Sequence, residues 1–174
     1  GLAPNDFEAA LQDNTKVIYI ETPSNPLLTI TDLKAVGTIA KKAGIVSMID
    51  NTFASPVNQN PADFGIDVII HSATKYMGGH SDICAGAVAA SQAHIDQVFR
   101  LAKNFGGSLS DYTVWLLERS MKTMGIRVKA QNENAMKMAT YLEEHPEVLK
   151  VYYPGLKSHP DHALAAAQMS GFGG

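Results

Sequence analysis

One stretch limits the possible folds more than any other. The apolar run Ile66, Val68, Ile69, Ile70 breaks off into His71-Ser72-Ala73-Thr74-Lys75-Tyr76 and then Gly78-Gly79. A near-continuous apolar run of this length is the pattern of a strand buried on both faces, which places it in a mainly parallel sheet. Its end gathers short hydroxyl donors, exposed main-chain N–H groups and one lysine. That set suits a phosphate, and it equally suits an amine desolvated enough to act as a nucleophile. A solvated surface turn has the same local composition, so the stretch alone leaves these readings open.

The rest of the chain supplies the context. Pro4 to Gln12 reads as a short helix with proline at its start, and Lys16 to Ile20 as a strand by its β-branched and aromatic content. Beyond Glu21, the segment Thr22-Pro23-Ser24-Asn25-Pro26 holds two prolines and cannot be regular, so Asn25 sits in a stiff loop at a strand's carboxyl end. Thr31 to Ala43 has a helical apolar stripe (Leu33, Val36, Ala40, Ala43), with Asp32 near its start, Lys41 and Lys42 in its last turn and Gly44 beyond. Ile45 to Ile49 is the next strand and runs into Asp50-Asn51-Thr52. Strand, helix and strand in this rhythm predict right-handed crossovers. Ligands of such sheets bind beyond the strands' carboxyl ends. Three strand ends therefore bring Asn25, Asp50 and Ser72/Thr74/Lys75 to one edge.

Downstream, Cys84 to Ser91 reads as a further strand of small residues. His94 to Lys103 and Ser110 to Ser120 read as helices, the second capped by Ser110 and packing Trp115 and Leu116 in the core. Ile126 to His145 is the longest helical pattern and is fit to bridge two domains. Val148 to Tyr153 reads as the first strand of a second layer, and His159 to Met169 as a last helix.

Composition excludes several function classes. The 174 residues carry a net charge of -3 and no basic stripe, which argues against nucleic acid. No apolar run approaches the ~18 residues of a membrane span, and no signal-peptide pattern opens the chain. The single cysteine, Cys84, fits a reducing, cytoplasmic setting and reads as a small core residue. The first residue is glycine and the last four are Gly171-Phe172-Gly173-Gly174, so both ends are expected to be cut from something longer.

Among candidate sites, Asp50 at a central strand end needs a partner if it is buried. It can cap a neighbouring N–H, or it can face the protonated ring nitrogen of pyridoxal 5'-phosphate, with Lys75 as the Schiff-base lysine on the same cofactor. In that second reading Ser72 and Thr74 donate to the phosphate and Asn25 to the 3-oxygen. His159 and His162, three apart, lack further metal ligands. Adjacent His80-Ser81-Asp82 cannot face one another as a triad. Gly78-Gly79 matches neither a Walker loop nor a dinucleotide fingerprint.

The motifs Glu21-Thr22-Pro23-Ser24-Asn25-Pro26, Asp50-Asn51-Thr52 and Ser72-Ala73-Thr74-Lys75-Tyr76 with Gly79-His80-Ser81-Asp82 resemble the trans-sulfuration family of pyridoxal-phosphate enzymes. That family includes cystathionine γ-synthase, cystathionine β- and γ-lyases and methionine γ-lyase. The resemblance continues through Gly125-Ile126-Arg127, Tyr152-Tyr153-Pro154-Gly155-Leu156 and Ser158-His159-Pro160. It implies an α/β chain of the aspartate-aminotransferase-like fold (fold type I). Residues 1–125 would be the later half of the cofactor-binding large domain, and 126–174 the linking helix and start of the small C-terminal domain. It further implies Lys75 as catalytic lysine, Asp50 on the pyridine nitrogen, Ser72 and Thr74 on phosphate, Asn25 near the 3-hydroxyl and Thr52 against a ring face. Expected alongside are a small amino-acid substrate, a homotetrameric (dimer-of-dimers) whole enzyme, and cofactor-binding parts upstream and a carboxylate-binding arginine downstream of this stretch.

Overall fold

The computed structural model describes residues 3–174. It is built around a four-stranded sheet in the order β1 (Val17–Glu21), β2 (Val46–Asp50), β3 (Val68–Ser72), β4 (Gly86–Ala90). β1 pairs parallel with β2, and β2 parallel with β3. The mainly parallel expectation therefore holds, with one difference: β4 returns antiparallel beside β3, with Ser72 opposite Gly86.

The crossover between β1 and β2 carries α2 (Leu33–Ala43), and local chemistry sets its ends. Asp32 lies just outside as the N-cap, its carboxylate accepting from the Ala35 N–H at 2.9 Å. Gly44 closes the helix at φ +66, in the left-handed region where glycine has no Cβ penalty. The buried stripe of α2, Leu33, Val36, Ile39 and Ala40, packs on Ile18, Ile20, Ile49 and Ile69 of the sheet to form the main core. Phe7 and Leu11, in and just beyond α1 (Pro4–Ala10), close one side of it.

Between β2 and β3 lie two short elements that the sequence pattern did not announce, α3 (Ser55–Asn58) and a 3-10 turn over Pro61–Phe64. Three long helices follow β4: α4 (Gln92–Phe105), α5 (Asp111–Met121) and α6 (Met124–Glu143). Ser110 caps α5 as expected, accepting from the Thr113 N–H. The last helix, α7 (His162–Gln168), packs Ala165, with Met169 just beyond it, on Ile30 and Ala54. The carboxylate of Asp161 accepts from the Ile30 N–H at 3.0 Å, so the C-terminal segment is sewn to the loop after β1.

Three expectations fail. Val148–Tyr153 is not a strand but an irregular segment between two turns: Val148 N bonds His145 O before it, and Tyr153 O accepts from Leu156 N after it. Trp115 is 55% exposed rather than in the core, and its ring lies against that of Tyr112. Cys84 is exposed as well, in the loop that leads into β4.

Candidate active site

The parallel register fixes the site's framework. Glu21 pairs with Asp50, and Asp50 with Ile70, so β1, β2 and β3 end along one edge of the sheet. Hydrogen bonds then link the ends of β2 and β3 residue by residue. Thr52 N donates to Asp50 Oδ1 at 2.9 Å, Ser72 N donates to Thr52 Oγ1 at 2.7 Å, and Lys75 N donates to Ser72 O at 3.1 Å. Three successive bonds thus run from the carboxylate to the lysine, which are far apart in the chain. Asp50 is half-buried and Lys75 exposed, and neither forms an ion pair among the described residues.

The other expected residues are less uniform. Ser72 lies at the edge, and its hydroxyl makes no bond within the chain among the described residues. Thr74 is engaged: its hydroxyl donates to Ala85 O at 3.2 Å and accepts from Ala85 N at 2.9 Å, which pins the lysine turn to the start of β4. Asn25 is exposed on the loop after β1. A cavity of about 400 Å³ opens beside the lysine, lined by Thr74, Lys75, Tyr76, Ser81, Ile83 and Gln131. Asn25, Asp50 and Ser72 lie outside its lining.

Two titrating groups report on Asp50. His71 is buried in β3, and that burial pushes its imidazole below the ordinary range against the smaller opposing pull of the Asp50 charge. Tyr19 is pushed up, by desolvation first and then by the charges of Asp50 and Glu21.

Beneath the edge lies a polar network that sequence reasoning missed. Gln59 donates through Nε2 to Asn51 Oδ1 at 2.8 Å and to Thr22 O at 3.1 Å, and its Oε1 accepts from Gln168 Nε2 at 3.0 Å. Gln168 also donates to Thr31 O and accepts from Leu33 N. Asn51, Gln59 and Thr22 are essentially inaccessible to solvent. The network joins the loop bearing Asn25 to the turn bearing Asp50 and Thr52. Its only sequence signal is the position of Asn51 beside Asp50, since a buried glutamine has no periodic signature.

The donor set fits pyridoxal phosphate. It offers one oriented carboxylate for a protonated ring nitrogen, one exposed amine without a carboxylate partner among the described residues, and the open Ser72 hydroxyl for a phosphate oxygen. The comparison with known proteins agrees: the family described as Cys/Met metabolism PLP-dependent enzyme matches residues 1–174. The chain belongs to this family. Among its relatives in that family, the cystathionine gamma-lyase of Bacillus subtilis (strain 168) is 49% identical over 170 residues, 97% of this chain and 45% of that protein. The cystathionine gamma-synthase of Mycobacterium leprae (strain TN) is 46% identical over 167 residues, 95% of this chain and 43% of that protein. The crystal structure of cystathionine gamma-lyase from Lactobacillus plantarum complexed with L-serine superposes with a TM-score of 0.93 at 46% identity, covering 96% of this chain and 44% of that one. The chain thus spans less than half the length of these family members.

Proposed function

We propose that the chain is the lysine-bearing part of a pyridoxal-phosphate-dependent carbon–sulfur lyase, acting by β- or γ-elimination on cystathionine or methionine. The observation that carries this reading is the run of hydrogen bonds from Asp50 through Thr52 and Ser72 to Lys75. Pyridoxal phosphate, when bound, supplies an electron sink for the carbanion left by loss of the α-proton. Lys75 would hold the cofactor covalently and, once displaced by substrate, carry the proton between carbons. Asp50 would keep a proton on the ring nitrogen. Ser72 and Thr74 would bind the phosphate, with Ser72 the freer donor because the Thr74 hydroxyl already serves Ala85. Asn25 would approach the 3-oxygen and Thr52 one ring face.

A second reading is γ-replacement, joining a thiol to an activated homoserine. It is favoured by the Mycobacterium leprae relative named a synthase, whose identity to this chain is close to that of the lyases. In both readings the whole enzyme is a cytoplasmic homotetramer, with residues 1–125 in the large domain and 126–174 opening the small one. No helix of the described residues is long and apolar enough to cross a membrane.

The test is capture of the cofactor. Pyridoxal phosphate is expected to give the visible absorbance of a protonated imine. Borohydride should fix its mass on the peptide carrying Lys75, and Lys75→Ala should abolish both. Capture at other lysines with Lys75 unlabelled overturns the reading. Incubation with cystathionine, or with acyl-homoserine plus cysteine, then separates elimination from replacement.

A further inference from the structure

The turn that carries Lys75 is tied to the helices beyond it by a side chain. Gly78 N donates to Ala73 O at 2.8 Å and Gly79 N to Lys75 O at 2.6 Å, so residues 73–79 form a closed turn. The turn stops at Gly79, φ +75, which leaves the carbonyls of Tyr76 and Met77 for another donor. Arg127, in the first turn of α6, supplies it. Nη1 donates to Tyr76 O at 2.9 Å, and Nη2 to Met77 O at 3.3 Å. The same guanidinium donates to Ser120 O at 3.0 Å, near the end of α5, and through Nε to Thr123 Oγ1 at 3.1 Å.

All four acceptors are neutral, and Arg127 makes no ion pair among the described residues. The charge is instead set against the outward main-chain carbonyls of the lysine turn and of the last turn of α5, a helix end where partial negative charge accumulates. Only a planar fork of five donors reaches acceptors in so many directions, and a lysine ammonium does not. Gly79 leaves room for the fork: a Cβ there would overlap Arg127 Nη1 and push the guanidinium aside.

We propose that Arg127 is a positioning residue for Lys75. By tying Tyr76 and Met77 to the junction of α5 and α6, it fixes the direction in which the Lys75 amine leaves the turn. It also couples that direction to the helix that leads into residues 144–174. The clasp stands on these contacts alone; its bearing on chemistry rests on the reading of Lys75 as the cofactor-bearing lysine.

The experiment has two readouts in wild-type chain, Arg127→Ala, Arg127→Lys and, as an exposed control on α5, Arg119→Ala. The first is hydrogen exchange at the amides of Gly78 and Gly79, which needs no cofactor. The second is the pH midpoint of the visible absorbance of pyridoxal phosphate held at Lys75. Arg127→Ala is expected to speed exchange at both amides by about tenfold or more while leaving Ile49 and Ile69 unchanged, and to displace the midpoint. Arg127→Lys is expected to fall between Arg127→Ala and wild type, and Arg119→Ala to match wild type. Wild-type exchange or an unmoved midpoint in Arg127→Ala overturns the proposal, as does an equal effect from Arg119→Ala. If Arg127→Ala does not fold, Arg127→Lys decides, and wild-type values there overturn it. Failure of wild-type chain to capture cofactor at Lys75 instead refutes the functional reading and the positioning role with it, while exchange still reads the clasp.

Discussion

Thr52→Val isolates the joint between the two halves of the candidate site. The replacement keeps the side chain's shape and a methyl group but removes Oγ1, which accepts the Ser72 N–H at 2.7 Å. A neutral hydrogen bond contributes about 0.5–1.5 kcal/mol net, and a buried N–H left without a partner costs about 1–3 kcal/mol. Thr52 and Ser72 are both half-buried, so water recovers part of that penalty. The expected destabilisation is therefore about 1 kcal/mol, read as a lower urea midpoint at unchanged m value. The same bond sets where Ser72 and Lys75 sit relative to Asp50. Cofactor capture at Lys75 should consequently weaken by about fivefold, the factor that corresponds to ~1 kcal/mol. Thr52→Ser is the matched control, because it restores the oxygen and deletes the methyl. It should keep capture near the wild-type level. The reasoning is refuted if Thr52→Ser falls as far as Thr52→Val, or if Thr52→Val captures cofactor as well as wild type.

Gln59→Met removes three side-chain bonds and leaves Thr22 O and Asn51 Oδ1 buried without their donor, so a loss of about 3 kcal/mol in urea unfolding is expected; a loss below about 1 kcal/mol would show that water fills the gap. Gly37→Ala would put a Cβ 2.5 Å from the main-chain oxygen of Phe64, where α2 meets the 3-10 turn; a loss of about 1–3 kcal/mol follows, and thermal melts showing no loss would contradict that close approach. His71 should give an acid-side stability slope. Its folded pKa lies below the unfolded value near 6.5, so the unfolded chain binds more protons between the two. Its share of stability is complete above about 6.5 and declines as pH falls through that window towards the folded pKa. His71→Asn should remove that part of the slope, and identical urea midpoints against pH in both proteins would refute it.

The framework of the site was legible because it depends on strand ends. Apolar strands followed by Asp50 and by Ser72-Ala73-Thr74-Lys75 announce themselves, and the parallel register carries both ends to one edge. Helix α2 was legible for a similar reason, since its stripe and terminal glycine agree, although Asp32 caps it from outside rather than lying in its first turn. What stayed hidden has no local signature. The small residues of β4 say strand but not direction, and the antiparallel return is set by the turn pinned between Thr74 and Ala85. Val148–Tyr153 has strand-like composition, yet its flanking main-chain groups close local turns with His145 and Leu156 instead of a ladder. Trp115 shows that an aromatic on an amphipathic helix need not face inward, since Ser120 is the buried position on α5.

The two faces of the sheet explain why Asp50 is where it is. Along β1 burial alternates strictly, Ile18 and Ile20 inward under α2 and Val17, Tyr19 and Glu21 outward. The parallel register places Asp50 beside Glu21 and therefore on the same face as Tyr19, opposite the core formed with α2. A carboxylate on the core face would have to be desolvated among Ile49, Ile69 and Val36, at a cost that a single N–H from Thr52 does not offset. On the open face it keeps part of its hydration and still has one oxygen fixed by main chain. The pleat thus decides which face of the sheet carries the carboxylate, and hydrogen bonds between strand ends decide how it stands relative to Ser72 and Lys75. Moving Asp50 by one position, as Asn51→Asp with Asp50→Asn, would transfer the charge to the fully buried side where Asn51 and Gln59 meet.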